Sequence, residues 1–187
     1  MGGYIILGVV ILLIIILIGF IISIYNNLVK FKVRVDNAWS QIDVMLKKRF
    51  DLVPNLVNTV KGYAAHEKGT LEAVVQARNQ AVGAQTQQEA IDANNTFAQA
   101  LSRLLMLVEN YPDLKADKSF IDLQNQLSQL EHQIAISRQF YNDTVMKYNQ
   151  YIASFPSNLF ANAFHFTERP YFQLDNAQEK QAPTVSF

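Results

Sequence analysis

Few residues in this chain are of a type that carries catalytic or metal chemistry. The sequence contains no cysteine, so it offers no thiolate metal ligand and no thiol nucleophile. The pair His66-Glu67 starts like the zinc motif HExxH, but Thr70 stands where the second histidine ligand would be. The other histidines, His132 and His165, are too distant in sequence for their spacing to assign a ligand set. We predict that each histidine lies at the surface or caps a backbone group, and that the chain has no metal site.

Motifs for phosphate binding and for nucleophilic catalysis are missing as well. The seven glycines form neither GxGxxG nor a Walker A loop, and no Gly-x-Ser-x-Gly elbow occurs. We therefore predict a protein that is not an enzyme, with no catalytic residue, no cofactor and no small-molecule substrate.

One polar residue stands out because it interrupts an apolar stripe. Apolar residues recur at alternating steps of four and three from Val35 to Tyr63, and Arg49 falls on the same stripe. A buried guanidinium must be paired and hydrogen-bonded, since its desolvation is otherwise very costly. We expect an ion pair with an acid on another helix, or a side chain that extends its charge to solvent; the alternative is a contact that specifies a partner. The candidate acids are Glu72, Asp92, Asp122 and Glu131.

The charged residues are balanced in number but unevenly placed. The 16 basic residues equal the 16 acidic ones, which argues against nucleic-acid binding because phosphate neutralisation needs a surplus of Lys and Arg. No charged residue precedes Lys30, so all 32 lie in the remaining 158 residues. The sequence therefore divides into an uncharged first segment and a domain of ordinary composition.

The uncharged segment predicts a transmembrane helix. From Tyr4 to Tyr25 only Ser23 is clearly polar, and 22 residues at helical rise span about 33 Å, enough for the hydrocarbon core of a bilayer. The alternatives are a buried core helix, which would be polar on some face, and a cleaved signal peptide, which usually has a basic start and a shorter apolar run. Tyr4 and Tyr25 stand at the two ends, where amphipathic rings favour the lipid headgroups.

The residues that follow predict the orientation. Between residues 30 and 50 there are six basic residues, Lys30, Lys32 and Arg34 among them, against two acidic ones. The positive-inside rule then places a short N-terminus outside the cell and the following domain in the cytoplasm, next to membrane lipid. The competing topology is an uncleaved signal anchor that exports the domain.

Helical periodicity continues through the rest of the chain, without strand-like alternation or hairpin signals. Pro54 interrupts the first stripe, and because the register survives on both sides we expect a kink in a continuing helix; a restart capped by Asp51 is the alternative. Further helices are predicted over 70–82, 87–111 and 117–155, the last with six uncharged heptad positions ending at Phe155. The fold predicted is all-α: a transmembrane helix followed by an elongated antiparallel bundle of long heptad-patterned helices.

Three regions follow from these patterns: an anchor over 1–29, a helical bundle over 30–165 and a tail over 166–187, aromatic and then polar. The aromatic residues that begin at Phe155 are too many for a solvated loop. We expect them to close the end of the bundle; docking onto a neighbouring subunit or onto the membrane interface is the alternative. Residues 176–187 are polar, and we expect them to be disordered.

The assembled motifs resemble those of the LemA family of bacterial membrane proteins. They include YNNLV at 25–29, NAWSQIDV at 37–44, KKRFDLVPNLV at 47–57, VKGYA at 60–64, YPDLK at 111–115 and FPS at 155–157. The resemblance implies one N-terminal transmembrane helix, a mostly helical domain and a bacterial cell-membrane location, with no accepted catalytic residue and a possible setting near membrane proteases. It also implies a set of signature residues that we expect to be structural: Asn37, Trp39, Asp43, Arg49, Pro54 and Asn55.

The function predicted is a non-enzymatic, membrane-anchored helical scaffold that forms homo-oligomers and organises or shapes the envelope. It is motivated by the long heptad stripes and by an anchor that concentrates the domains on one surface. The alternative is a regulatory or adaptor module for a membrane-protein partner such as a protease.

Overall fold

The structure, a computed structural model, describes residues 2–173 and is all-α over that range. Its helices are α1 (Gly2–Tyr63), α2 (Lys68–Gly83), α3 (Gln87–Val108), α4 (Pro112–Lys115), α5 (Lys118–Ala153) and α6 (Ser157–Ala163). The predicted all-α class is confirmed. The predicted disorder of 176–187 lies outside the described residues.

Helix α1 carries the apolar segment and continues through the first heptad stripe. Its 62 residues make it about 93 Å long at helical rise. Its most apolar 18-residue window has a mean hydropathy of 3.7 and none of that window is buried, so this helix is long and apolar enough to cross a membrane. Pro54 lies inside α1, which confirms a continuing helix and makes the restart at Asp51 wrong.

The chain separates into two compact units, to both of which α1 and α5 contribute. In the first unit, which holds the residues up to Gln41 and Gln139–Tyr171, the ring of Phe31 lies 5.1 Å from that of Tyr151, and Trp39 lies 5.4 Å from Tyr141. Because residue numbers rise along α1 while they fall along α5, the two helices pack antiparallel there.

The second unit holds Ile42–Arg138 and, among the described residues, Phe172 and Gln173. Arg49 of α1 bonds to Glu131 of α5, and the Tyr63 hydroxyl donates to Asp117 at 3.0 Å, so these helices are antiparallel here too. Helices α2 and α3 pack against each other in this unit.

Most residues of the heptad stripes are buried within the single chain, although Tyr63 at the end of the α1 stripe is 45% exposed. The buried stripe residues on α1 are Val35, Ile42, Leu46, Val53, Leu56 and Val60, and those on α5 are Phe120, Leu127, Ile134, Tyr141 and Tyr148. The sixth predicted position on α5, Phe155, is wrong: α5 ends at Ala153 and Phe155 is 79% exposed. The stripes therefore supply intrachain contacts.

Helix α3 ends three residues before the predicted Tyr111. The N–H groups of Asn110 and Tyr111 donate to carbonyls three residues back, at Leu107 and Val108, so the chain tightens into turns. Tyr111 itself lies outside the helical region, with φ −122° and ψ 83°, as expected for a residue before proline. At the other end of α3 the Thr86 hydroxyl accepts from the Glu89 N–H, and Glu89 accepts from the Thr86 N–H, a capping box.

The division into an anchor, a helical bundle and a tail, with boundaries at residues 29 and 165, stays a prediction.

Candidate functional site

The predicted membrane-interface residues are exposed along α1. Tyr4 is 84% exposed and Tyr25 is 41% exposed, while Lys30, Lys32 and Arg34 lie one to three turns beyond Tyr25 with their side chains exposed. The three basic side chains are therefore accessible on the surface of α1.

Arg49 is the most deeply buried charge in the described part of the chain, with 1% of its surface exposed. Its Nη1 donates to the Glu131 carboxylate and its Nη2 donates to the side-chain oxygen of Asn94. The Glu131 side chain is 48% exposed, so one end of the pair reaches solvent. The expected ion pair with another helix is confirmed, and Glu131 is the acid among the four candidates.

Two aromatic rings flank the same guanidinium. The centre of the group lies 5.0 Å from the ring of Phe97 and 5.8 Å from that of Phe50, and the two rings meet edge to face at 5.2 Å. Burial lowers the pKa of Arg49, while the charge and hydrogen bond of Glu131 act to raise it. Because an arginine keeps its proton in proteins, this group is a fixed cation that joins α1, α3 and α5, and not an acid or base.

Sequence reasoning missed Asn94, although a signal for it exists. Asn94 lies three residues before Phe97 on the buried face of α3, where the pattern calls for an apolar residue. It is 3% exposed. A polar residue at a buried position of α3, Asn94, was therefore the sequence signal for a partner of Arg49 on α1.

A separate polar contact in the second unit compensates for Pro54. In an α-helix the N–H of residue 54 would donate to the carbonyl of Phe50, and proline has no N–H. Arg78 of α2 takes that place, because its Nε donates to the Phe50 carbonyl at 3.2 Å. The carbonyl freed by Pro54 thus becomes an attachment point for α2.

The first unit contains a backbone segment that α5 holds through its side chains; we call residues 167–170 the strap. The Asn149 amide donates to the Arg169 carbonyl at 2.9 Å and accepts from the Arg169 N–H at 3.0 Å. The hydroxyls of Tyr148 and Tyr141 donate to the carbonyls of Thr167 and Pro170 at 2.9 and 2.8 Å. These four bonds hold the strap along α5.

The strap also reaches α1, since Arg169 Nη2 lies 3.1 Å from the carboxylate of Asp36. Burial raises the pKa of Tyr141 to about 12, with Asp36 adding to the rise and Arg169 opposing it. The pKa of Tyr148 is raised for the same causes. Both phenols therefore stay protonated donors at neutral pH.

The Arg49 and Arg78 contacts and the strap fall between residues 38 and 187. A sequence profile of the LemA family matches residues 38–187. The chain belongs to the LemA family.

Three relatives show how far this likeness extends. The magnetosome proteins MamQ 1 and MamQ 2 of Paramagnetospirillum magneticum are each 26% identical in an alignment of 175 residues, gaps included, and the match covers 80% of this chain and 64% of the relative. Protein LemA of Metamycoplasma hominis is 24% identical over 160 residues, covering 85% of this chain and 73% of the relative. The chain thus spans about 64% of the length of the MamQ relatives.

The other signature residues of this LemA-family chain are less buried than Arg49. Asn37, Pro54 and Asn55 are exposed, while Asp43 is half-buried and accepts from Lys47 at 2.8 Å. Trp39 is half-buried against Tyr141. A structural role for this set as a whole stays a prediction.

The histidines of this LemA-family protein, His66, His132 and His165, are all exposed. Between residues 2 and 173, no group of three or more His, Asp or Glu side chains is placed to hold a metal ion.

Proposed function

We propose that this chain is a non-enzymatic scaffold anchored in the bacterial cytoplasmic membrane by one transmembrane helix, with its helical domain in the cytoplasm, and that copies of it associate. The observation that carries the proposal is the continuity of α1. The helix passes without a break from an apolar segment in which only Ile24, next to its end, is buried to a stripe that includes the fully buried Val60. A folded helical domain is therefore attached to the anchor without a flexible linker.

The use of the interior polar groups supports a structural role. Arg49 joins three helices. Arg78 donates the hydrogen bond to the Phe50 carbonyl that Pro54 cannot donate, and Asn149 binds the backbone of the strap. In each case the polar side chain is bonded to a group that positions a helix or a backbone segment of this chain.

Association would use residues outside the heptad stripes, because the stripes are filled within the chain. On α2 the side chains of Val75 and Val82 are 37% and 57% exposed, and residues seven apart lie on the same helix face. A contact this small is weak in solution, but anchors that confine the copies to one surface raise their effective concentration. A second copy of α2 is the occupant that we propose for this face.

Cross-linking tests the association, because the natural chain has no cysteine and an introduced one reports a single position. Asn79→Cys lies between the two valines and is exposed; Ser102→Cys on α3 is the matched exposed control. In membranes, oxidation should give a disulfide dimer with Asn79→Cys and much less with Ser102→Cys, and Val82→Gln should reduce the Asn79 product. Monomers by light scattering in mild detergent, together with no cross-link in membranes, would refute self-association.

Labelling with a membrane-impermeant maleimide tests the orientation. The six basic residues between positions 30 and 50 support a cytoplasmic domain. In intact cells Gly3→Cys should react, and Ser102→Cys should react only after lysis. The reverse pattern would mean that the domain is exported.

The adaptor role is the second candidate, favoured by an open groove beside the same face of α2. The groove has a volume of about 490 Å³ and is lined by Val57, Leu71 and Val75 together with Lys61 and Lys68. A membrane enzyme that co-purifies in fixed stoichiometry, and is lost with Leu71→Gln while helical content is retained, would favour this role over self-association.

A further inference from the structure

Residues 154–166, which follow α5 and include α6, form a short segment that we call the hook. Three of its large apolar side chains are exposed: Phe155 is 79% exposed, Leu159 57% and Phe164 48%, while Phe160 and Phe166 are half-buried. Its buried positions are small, since Ser157 is 4% exposed and Ala161 is 1% exposed. This is the inverse of a helix that closes a bundle, where the large side chains would be buried. The expectation that these aromatic residues simply close the bundle is therefore wrong for Phe155.

The hook is fixed beside the end of the apolar segment. The ring of Tyr25, the last residue of that segment, meets Phe164 edge to face at 5.0 Å and Phe166 at 6.2 Å. The inner side of α6 is bonded to α5, because the Ser157 hydroxyl donates to the Tyr151 carbonyl at 2.6 Å. The outward Phe155 and Leu159 thus belong to a segment whose end touches the residue expected at the membrane surface.

The charge pattern around the hook also suits a lipid surface. The 20 residues from Tyr148 to Thr167 include no Asp, Glu, Lys or Arg. On α1 the exposed cations begin at Lys30, five residues and about 7.5 Å beyond Tyr25. An uncharged apolar surface with cations next to it is the composition of interfacial membrane-binding segments.

We propose that the hook inserts Phe155, Leu159 and Phe164 into the interface of the same bilayer that the anchor crosses, on the side of Tyr25. The domain then has two attachments to one leaflet, the α1 helix and the hook. This inference rests on the membrane anchor of the proposed function. It does not depend on self-association or on which side of the membrane the domain lies.

A depth measurement on the full-length chain tests the insertion. Leu159→Cys is labelled with an environment-sensitive fluorophore, and the protein is reconstituted in vesicles of phosphatidylcholine and phosphatidylglycerol in equal parts. Ile14→Cys in the apolar segment reports whether the anchor is inserted, and the exposed Ser102→Cys is the aqueous control. The Leu159 probe should emit at shorter wavelength than the Ser102 probe and be quenched several-fold more strongly by lipids brominated in their acyl chains.

A substitution in the hook then tests which side chains hold it in the lipid. Removing one phenyl ring from an apolar environment weakens partition by about tenfold, so Phe155→Asn should return the Leu159 probe toward the Ser102 value. Met146→Asn, at a 49% exposed apolar position on α5, is the matched control and should change nothing. Unchanged Trp39 fluorescence would show that the first unit is still folded in both variants.

The outcomes separate this inference from the anchor itself. Quenching at Ile14 without quenching at Leu159 overturns the hook insertion and leaves the anchor standing, whereas loss of both removes the anchor too. A Leu159 probe that is shifted but not quenched by lipid, and whose shift grows with the protein-to-lipid ratio, would mean that a second copy covers the hook and would also overturn the proposal.

Discussion

The bond between Arg78 and the Phe50 carbonyl should contribute more to stability because residue 54 is proline. Arg78→Met keeps an apolar stem but removes the donor that lies 3.2 Å from that carbonyl. Hydrogen bonds to charged groups contribute about 1.5–3 kcal/mol. Because Arg78 is only half-buried, water can replace part of the bond. We expect Arg78→Met to lower the free energy of unfolding by about 1–2 kcal/mol.

Pro54→Ala supplies the missing N–H from within α1. An interior proline costs a helix about 3 kcal/mol relative to alanine, but its rigidity also lowers the entropy of the unfolded chain by an amount worth about 0.4–1 kcal/mol. Pro54 is exposed and its freed carbonyl is already bonded, so we expect a net gain of about 1–2 kcal/mol from Pro54→Ala. In that background the Phe50 carbonyl keeps a donor, so Arg78→Met should cost about 1 kcal/mol less than in the natural chain.

Urea titration measures the coupling between Arg78 and Pro54. The four proteins compared are the natural chain, Arg78→Met, Pro54→Ala and the double variant. The full-length chain in mild detergent is followed by far-ultraviolet circular dichroism, and the four transitions should share one slope. Arg103→Met, an exposed arginine on α3, is the control and should change the free energy of unfolding by less than about 0.5 kcal/mol. If Arg78→Met costs the same in both backgrounds, within about 0.3 kcal/mol, the substitutions are additive and the reasoning is refuted.

Three further results are expected. Arg49→Met should cost about 2–4 kcal/mol in the same titration because it leaves the buried Asn94 amide unpaired, and adding Asn94→Leu should recover part of that loss. A double variant that is no more stable than Arg49→Met would contradict this. The pKa of Tyr141 is raised from 10 to about 12 in the folded chain. The protonated Tyr141 hydroxyl therefore contributes fully to the stability of the fold below pH 10, and this contribution is lost as the pH rises toward 12. In absorbance titrations Tyr141→Phe should therefore remove a late phenolate step, and loss of an early step instead would disprove the assignment. Thr86→Ala should cost about 1 kcal/mol through the loss of the α3 cap, and Thr86→Ser, which keeps the hydroxyl, should not.

The local spacing of apolar residues was enough to predict most of the helices. The α1 stripe, the α2 helix and the start of α3 follow from spacings of three, four and seven residues, and those spacings involve neighbours on one helix. Boundaries were less predictable. The end of α3 depends on how the last turn tightens before Pro112, and the end of α5 depends on a turn that begins before Pro156.

The candidate sites were predictable only in part. That Arg49 needs a partner follows from one charge on an apolar stripe, since desolvation requires it. Which acid it meets does not follow, because Glu131 is 82 residues away in sequence and the other candidates fit the pattern equally well. The strap was not foreseen, since its bonds join side chains of α5 to backbone groups 19 to 29 residues later, and backbone groups leave no mark in composition.

The sequence by itself determined that this chain has an apolar segment long enough to span a membrane, that the part of the chain described after it is mostly helical, and that one arginine must be paired inside it. These are properties of composition and of period along a single helix. Only the tertiary structure decided that Glu131 and Asn94 share the guanidinium, that Arg78 takes the carbonyl freed by Pro54, and that Phe155 faces outward. Each of those depends on which distant segments pack together, and that packing is a choice among many contacts that the local pattern permits equally.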